Sequence, residues 1–182
     1  MSPWVSVYNK ILALGVIFFQ IASLVLIKLF FLRPGARILD WCRRNAPHIL
    51  FAVSLSAVLA SLIYSEIIGF PPCKFCWWQR IFMYPQPIIL LLAWKKARIA
   101  ESLSIIMVFN LLGLLLSSYH IVVEIIGYSP LVPCDINPLE ISCATRFVFE
   151  FGYISIPVMA FSIFLFSFLI AFVATRREIV RR

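Results

Sequence analysis

Two cysteines three residues apart lie between a proline pair and a long apolar run, in the stretch Pro71-Pro72-Cys73-Lys74-Phe75-Cys76-Trp77-Trp78-Gln79-Arg80. Adjacent prolines cannot continue a helix and fix an extended entry. The apolar run predicts a membrane-spanning helix with Cys76 in its first turn. Unpaired N–H groups and the helix dipole stabilise a thiolate there, and Arg80, one turn further on, should lower the pKa of Cys76 further. The pattern predicts a reactive thiol at a lipid boundary, suited to electron exchange with a lipid-soluble compound.

The composition excludes a soluble protein. The chain has 182 residues, of which 63% are hydrophobic and 13% are charged. Such a chain is an integral membrane protein. The net charge of +8 does not indicate nucleic-acid binding, because the basic residues cluster between apolar runs, where membrane topology explains them.

Five segments have the roughly 20 mostly apolar residues that a membrane-spanning helix needs. They are Ile11 to Leu32, His48 to Phe70, Phe75 to Trp94, Leu103 to Ile126 and Ile154 to Thr175. A signal peptide or a helix lying on the membrane surface would be alternatives for the first. The run is too long, lacks a cleavage site and is apolar on all sides, so we predict a span. Pro85 and Pro87 predict a kink in the third.

Basic residues predict the orientation of these spans. They cluster after the first, third and fifth segments, at Arg33, Arg37, Arg43, Arg44, Lys95, Lys96, Arg98, Arg176, Arg177, Arg181 and Arg182. By the positive-inside rule these clusters are cytoplasmic. The N-terminus and both close cysteine pairs are then outside, where disulfides persist. Cys42 remains in the cytoplasmic Arg-rich loop as an incidental free thiol.

A second cysteine pair, Cys134 and Cys143, lies in the outer loop before the last segment. The turn-forming Asn137-Pro138 between them allows a disulfide. That disulfide is either purely structural or one half of a relay, in which thiol–disulfide exchange carries oxidation between the two pairs. A third alternative is a zinc site formed by all four cysteines, although the spacing of the second pair is unusual for one.

His120 and Glu124 lie four residues apart on one face of the fourth segment. Ionisable groups at membrane depth usually face the interior of the bundle, and a histidine can supply protons for a reduction. Both residues are candidates for the site, and ordinary interfacial positions are the alternative.

These features together resemble the disulfide bond formation protein B (DsbB) family. Its signature is similar to Cys73-x-x-Cys76-x-x-Gln79-Arg80 followed by Met83-Tyr84-Pro85. Three further stretches fit: Tyr119-His120, the Cys134/Cys143 pair, and Gly152-Tyr153-Ile154-Ser155-Ile156-Pro157. The likeness covers roughly His48 to Thr175 and is closest to the short-loop branch typified by BdbC. The vitamin K epoxide reductase family carries out similar chemistry on a similar helix bundle, but its loop cysteines precede the Cys-x-x-Cys. In this chain they follow it, which favours the DsbB family.

The resemblance implies a four-helix bundle in the bacterial cytoplasmic membrane that reoxidises an exported thioredoxin-like, DsbA-like thiol oxidase. Electrons would pass to a membrane quinone, ubiquinone or menaquinone. By this resemblance, Cys134 receives the partner's attack and Cys143 is displaced. Cys143 then exchanges with the Cys73–Cys76 disulfide, and Cys76 faces the quinone. Arg80 and His120 are the expected quinone-binding residues.

This chain departs from the family by an extra N-terminal span. We therefore expect an all-α membrane protein of five spans, with the N-terminus outside and the C-terminus cytoplasmic. Residues 1–46 would form the extra helix and an Arg-rich connector, and residues 47–182 a DsbB-like redox domain. The rival hypothesis is a non-enzymatic membrane scaffold with structural disulfides or a four-cysteine zinc site.

Overall fold

The computed structural model describes residues 3–96, 98–128 and 142–181. For residues 176–181 only the backbone is described. The described chain is helical and contains no β-strand, apart from one isolated bridge between Glu150 and Ile154. Its helices are α1 (Pro3–Leu32), α2 (Arg37–Leu62), α3 (Lys74–Met83), α4 (Pro85–Lys96), α5 (Ile99–Ile126) and α6 (Ile156–Arg181). A π-helical turn, Ile63–Ile67, extends α2. The predicted all-α membrane architecture is confirmed.

Four helices are long and apolar enough to cross a membrane, namely Pro3–Leu32, Arg37–Ile67, Ile99–Ile126 and Ile156–Thr175. The protein is therefore a multi-pass membrane protein. The third predicted span is divided into α3 and α4, each too short to cross a bilayer alone. A fifth span stays a prediction. The orientation of the spans also stays a prediction, because helix length and composition do not show which side of the membrane each end faces.

The break between α3 and α4 has a local cause. Pro85 and Pro87 have no N–H to donate to the carbonyls four residues earlier. Gln86 lies between the two prolines, and its Nε2 donates to the carbonyl of Phe82, four residues earlier, at 2.9 Å. Gln86 also exchanges two hydrogen bonds with buried Asn110 of α5, at 3.3 and 3.1 Å. The predicted kink thus coincides with the boundary between α3 and α4 at Tyr84, where the backbone keeps helical dihedrals (φ −65°, ψ −35°). A buried polar pair lies beside this boundary.

The segment around Cys42, which the sequence predicted to be a loop, is helical. Only Arg33–Ala36 separate α1 from α2, and Cys42 is buried in the second turn of α2. Leu39, Cys42 and Ala46 recur at helical spacing and join the core formed with α5 and α6. That apolar spacing outweighs the cluster of arginines, so the loop prediction was wrong. Cys42 is a free thiol.

Helices α5 and α6 pack closely at Gly113. A side chain there would overlap the ring of fully buried Phe164. We expect Gly113→Ala to destabilise the protein by about 1–3 kcal/mol, because the added methyl group forces a fully buried ring to shift. The midpoint of thermal unfolding in detergent should fall. Gly35→Ala is the control, because a Cβ at Gly35 meets no atom within 4 Å. An unchanged midpoint for Gly113→Ala would contradict this packing.

Candidate redox site

The two cysteines of the Cys-x-x-Cys lie at the start of α3. After the proline pair, Cys73 occupies the N-cap with extended backbone (φ −71°, ψ 172°). Its sulfur accepts the backbone N–H of Cys76 at 3.4 Å, so Cys76 lies in the first helical turn, as predicted. The two Sγ atoms are 3.1 Å apart and both thiols are free. A disulfide requires the sulfurs to approach by roughly another 1 Å. The predicted Cys73–Cys76 disulfide stays a prediction.

His120 connects the two cysteine segments. It is buried near the end of α5, with Nε2 3.7 Å from the Cys73 sulfur and 3.1 Å from the carbonyl oxygen of Cys143. Its Nδ1 lies 3.2 Å from Nε2 of the Gln79 side chain. An amide nitrogen can only donate, so Nδ1 accepts and the imidazole proton is on Nε2. That proton faces both the Cys73 sulfur and the Cys143 carbonyl.

The thiolate is stabilised at Cys73 rather than at Cys76. Cys73 lies just outside the third predicted span, which begins at Phe75. Hydrogen bonds from the Cys76 thiol, from His120 and from the Cys76 backbone N–H lower the pKa of Cys73 to about 4, against the opposing effect of burial. The expectation of a Cys76 thiolate must therefore be corrected. The reason is the N-cap geometry, which turns the Cys73 sulfur back onto the donors at the helix start.

Arg80 lies one turn beyond Cys76 and is held by α2. Its Nε donates to Oγ of Ser61 at 3.1 Å, and its Nη2 donates to the Ser61 carbonyl at 3.2 Å. The guanidinium also lies 5.1 Å from the centre of the Trp77 ring. Arg80 is only 9% exposed, and it takes part in no ion pair within the described residues. A buried positive charge without a carboxylate can stabilise negative charge that develops nearby.

These groups border one cavity of about 370 Å³. Its polar lining includes Cys73, Cys76, Gln79, Arg80 and His120. The remainder is mostly apolar and comes largely from α1, α2 and α6. This volume and this mixture of surfaces are typical of small-molecule sites. The arrangement places two exchangeable sulfurs, a proton-bearing imidazole and a fixed cation beside a space suited to an apolar ring.

Of the second cysteine pair, only Cys143 lies within the described residues. Cys143 is disulfide-bonded and packs in the same apolar cluster as Cys73 and Phe75. Its predicted partner, Cys134, lies outside the described residues, so the Cys134–Cys143 pairing stays a prediction. The structure thus brings one cysteine of the loop pair against the Cys-x-x-Cys.

Glu124 serves a different purpose from His120. Its carboxylate accepts the Ser155 hydroxyl at 2.6 Å and forms an ion pair with Nε of Arg146 at 2.9 Å. Glu124 is buried, does not line the cavity, and ties the segment before α6 to α5. This candidate residue therefore has a structural role.

The metal alternative takes a different form in the structure. Cys73, Cys76 and His120 bring their ligand atoms within 4.8 Å of one another. Cys143 is already in a disulfide, so it cannot supply a thiolate to the same ion. A four-cysteine zinc site is incompatible with this arrangement.

Two contact residues were not among the predicted site residues. Gln79 fixes the His120 tautomer, and its position three residues after Cys76 could have indicated that it shares a helix face with that cysteine. Ser61 holds Arg80, and no local sequence pattern distinguishes it from the other serines of α2.

Comparison with known proteins assigns the family. The model of the disulfide bond formation protein DsbB family matches residues 43–174, more than half of the chain. The SPbeta prophage-derived disulfide bond formation protein B of Bacillus subtilis is 39% identical over 112 residues, covering 62% of this chain and 73% of that protein. The probable disulfide formation protein C 2 of Bacillus cereus is 31% identical over 140 residues, covering 77% and 98%. No solved structure matches significantly. The chain thus belongs to the DsbB family and has a role in disulfide bond formation.

Proposed function

We propose that the protein is a membrane thiol:quinone oxidoreductase that reoxidises an exported, DsbA-like thiol oxidase. The observation that carries this proposal is the shared cavity, onto which the Cys73–Cys76 pair, His120 and Arg80 all open. The names of the relatives support disulfide formation as the outcome. The proposed location is the bacterial cytoplasmic membrane, with both cysteine pairs on the extracytoplasmic side.

The first half of the route is thiol–disulfide exchange. A thiolate of the reduced partner attacks Cys134, a mixed disulfide forms, and Cys143 leaves as a thiolate. The second partner thiol then resolves the mixed disulfide, which leaves the partner oxidised and Cys134 reduced. Exchange with an oxidised Cys73–Cys76 pair re-forms the Cys134–Cys143 disulfide and leaves Cys73 and Cys76 as thiols. The packing of Cys143 against Cys73 supports this second exchange.

The second half of the route oxidises the Cys73–Cys76 dithiol. With Cys73 as a thiolate and Cys76 as a thiol, closing that disulfide releases two electrons and one proton. A bound quinone would accept the two electrons, this proton and a second proton taken up from the surrounding water. Arg80 and His120 would hold the ring, and Arg80 offsets negative charge that develops on it. His120 keeps a proton on Nε2 beside the Cys73 thiolate. The mostly apolar lining and the fixed Arg80 charge fit such an acceptor.

Purified protein in detergent provides the direct test. The protein is reduced with a mild dithiol and mixed with a ubiquinone or menaquinone analogue. Quinone absorbance is followed while free thiols are trapped and mapped by mass spectrometry. We expect the quinone to be consumed as Cys73–Cys76 and Cys134–Cys143 disulfides re-form.

The scaffold hypothesis makes the opposite prediction for the same sample. Structural disulfides resist mild thiols, whereas relay disulfides exchange readily. Resistance to reduction, or reduced thiols that do not react with the quinone, would reject the oxidoreductase. Stoichiometric bound zinc would favour a metal site at Cys73, Cys76 and His120 instead.

A further inference from the structure

Helix α1 lies outside residues 43–174, which the family model matches, and yet it borders the redox cavity. Ile11, Gly15 and Phe19 follow one another at four-residue intervals and all line the cavity. Residues at this spacing share one face of a helix. Part of the cavity wall is therefore supplied by a segment outside the stretch that the family model matches.

We infer that α1 is part of the electron-acceptor site, forming the wall against which a lipid-soluble quinone lies and one side of its entrance from the membrane. This inference rests on the proposed function and assigns part of the acceptor site to residues 11–19. It gives the additional helix a role in acceptor binding.

Polar contacts fix α1 in place on both sides of this wall. Before it, buried Asn9 accepts the hydroxyl of Tyr64 at 3.0 Å. After it, Gln20 donates to Ser162 of α6 at 3.0 Å and accepts the Tyr153 hydroxyl at 2.8 Å. Hydrogen bonds between helices hold them in register within a membrane. Hydrogen bonds as well as apolar contacts therefore hold α1 in a fixed position at the cavity.

The cavity reaches the lipid-facing surface beside α1. Ile11 of α1 and Ser56 of α2 both line the cavity and both are exposed. We therefore place the entrance of the acceptor between these two helices, both of which are long and apolar enough to cross the membrane. An acceptor with a long apolar tail can place its ring beside Arg80 while the tail remains in lipid. This geometry favours a membrane quinone over a water-soluble acceptor.

Gly15 provides a precise way to test the wall. Gly15 lines the cavity, and a Cβ at this position would meet no atom within 4 Å, so an alanine fits there without displacing a neighbour. A leucine adds three further carbon atoms to this wall. Leu14 is the matched control, because it is 59% exposed and does not line the cavity. The experiment compares Gly15→Leu, Gly15→Ala and Leu14→Phe with the unaltered protein.

The first readout is equilibrium binding of a decyl-tailed benzoquinone, followed by quenching of tryptophan fluorescence. We expect Gly15→Leu to weaken binding by about tenfold or more, because its side chain occupies space that the ring requires. Gly15→Ala should have a smaller effect and Leu14→Phe none. The KM for the quinone should rise in parallel for Gly15→Leu and stay unchanged for Leu14→Phe.

Photo-crosslinking gives a second readout that needs no variant to fold. An azido derivative of the same quinone should label the peptide containing residues 11–19 in the unaltered protein. If that protein binds and reduces the quinone but α1 stays unlabelled, or if Gly15→Leu binds as Leu14→Phe does, the inference about α1 is wrong. If the unaltered protein neither binds nor reduces quinone, the proposed function itself fails.

Discussion

Cys76→Ser should abolish quinone reduction, lowering turnover to the background rate measured without protein. Closing a disulfide requires two sulfurs, and Cys76 is the thiol 3.1 Å from the Cys73 sulfur. A serine hydroxyl can still donate a hydrogen bond to Cys73, so the stabilisation of the thiolate is retained in part while the oxidation is blocked. The measurement is quinone absorbance after the purified protein has been reduced with a mild dithiol.

Cys42→Ser is the matched control for this variant. Cys42 is also a free, buried thiol, but it packs in a different core cluster and does not line the cavity. Its replacement should leave quinone turnover unchanged. Normal turnover by Cys76→Ser would exclude the Cys73–Cys76 pair as the group that reduces the quinone.

The alkylation rate of Cys73 should be almost independent of pH across the neutral range. The thiolate is the reactive form. With a pKa of about 4, Cys73 remains ionised at every pH well above that value, so its reactivity falls only in acid. An ordinary thiol behaves differently, because its rate increases until the pH passes about 8.5. The measurement is iodoacetamide labelling of the reduced protein at a series of pH values, with Cys73 mapped by mass spectrometry.

Replacing His120 should move this titration toward neutral pH. His120→Phe keeps a ring beside that of Phe75 but removes the Nε2 donor to Cys73. Loss of a hydrogen bond to the charged form raises a thiol pKa, so we expect the midpoint to rise by about one pH unit or more. His120→Gln retains an N–H donor and should restore part of the difference. Identical midpoints for both variants and the unaltered protein would show that His120 does not stabilise the thiolate.

Local sequence patterns predicted much of the fold. Apolar runs marked the four long helices, and Pro85 and Pro87 marked the interruption of the third segment. The helix around Cys42 was not predicted, because the surrounding arginines suggested a loop. The spacing of Leu39, Cys42 and Ala46 is that of a buried helix face. Burial of that face against α6 decided the outcome.

The candidate site was predictable in its residues but not in its geometry. The spacing placed Cys76 in the first turn of a helix, yet it could not show that the Cys73 sulfur turns back to accept its N–H. The contacts of His120 depend on residues 41 positions before it and 23 after it. Helix α1 is apolar on most sides, so no two-faced pattern identified the residues that border the cavity.

The position of Cys143 beside Cys73 has an electrical consequence. Cys73 precedes α3, His120 lies near the end of α5, and Cys143 precedes α6, so these groups gather at one end of the bundle. Moving one elementary charge through the full membrane field costs about 2.3 kcal/mol per 100 mV. Along the proposed route, exchange between the two cysteine pairs carries no charge through that field. This step should therefore run equally well in energised and de-energised membranes.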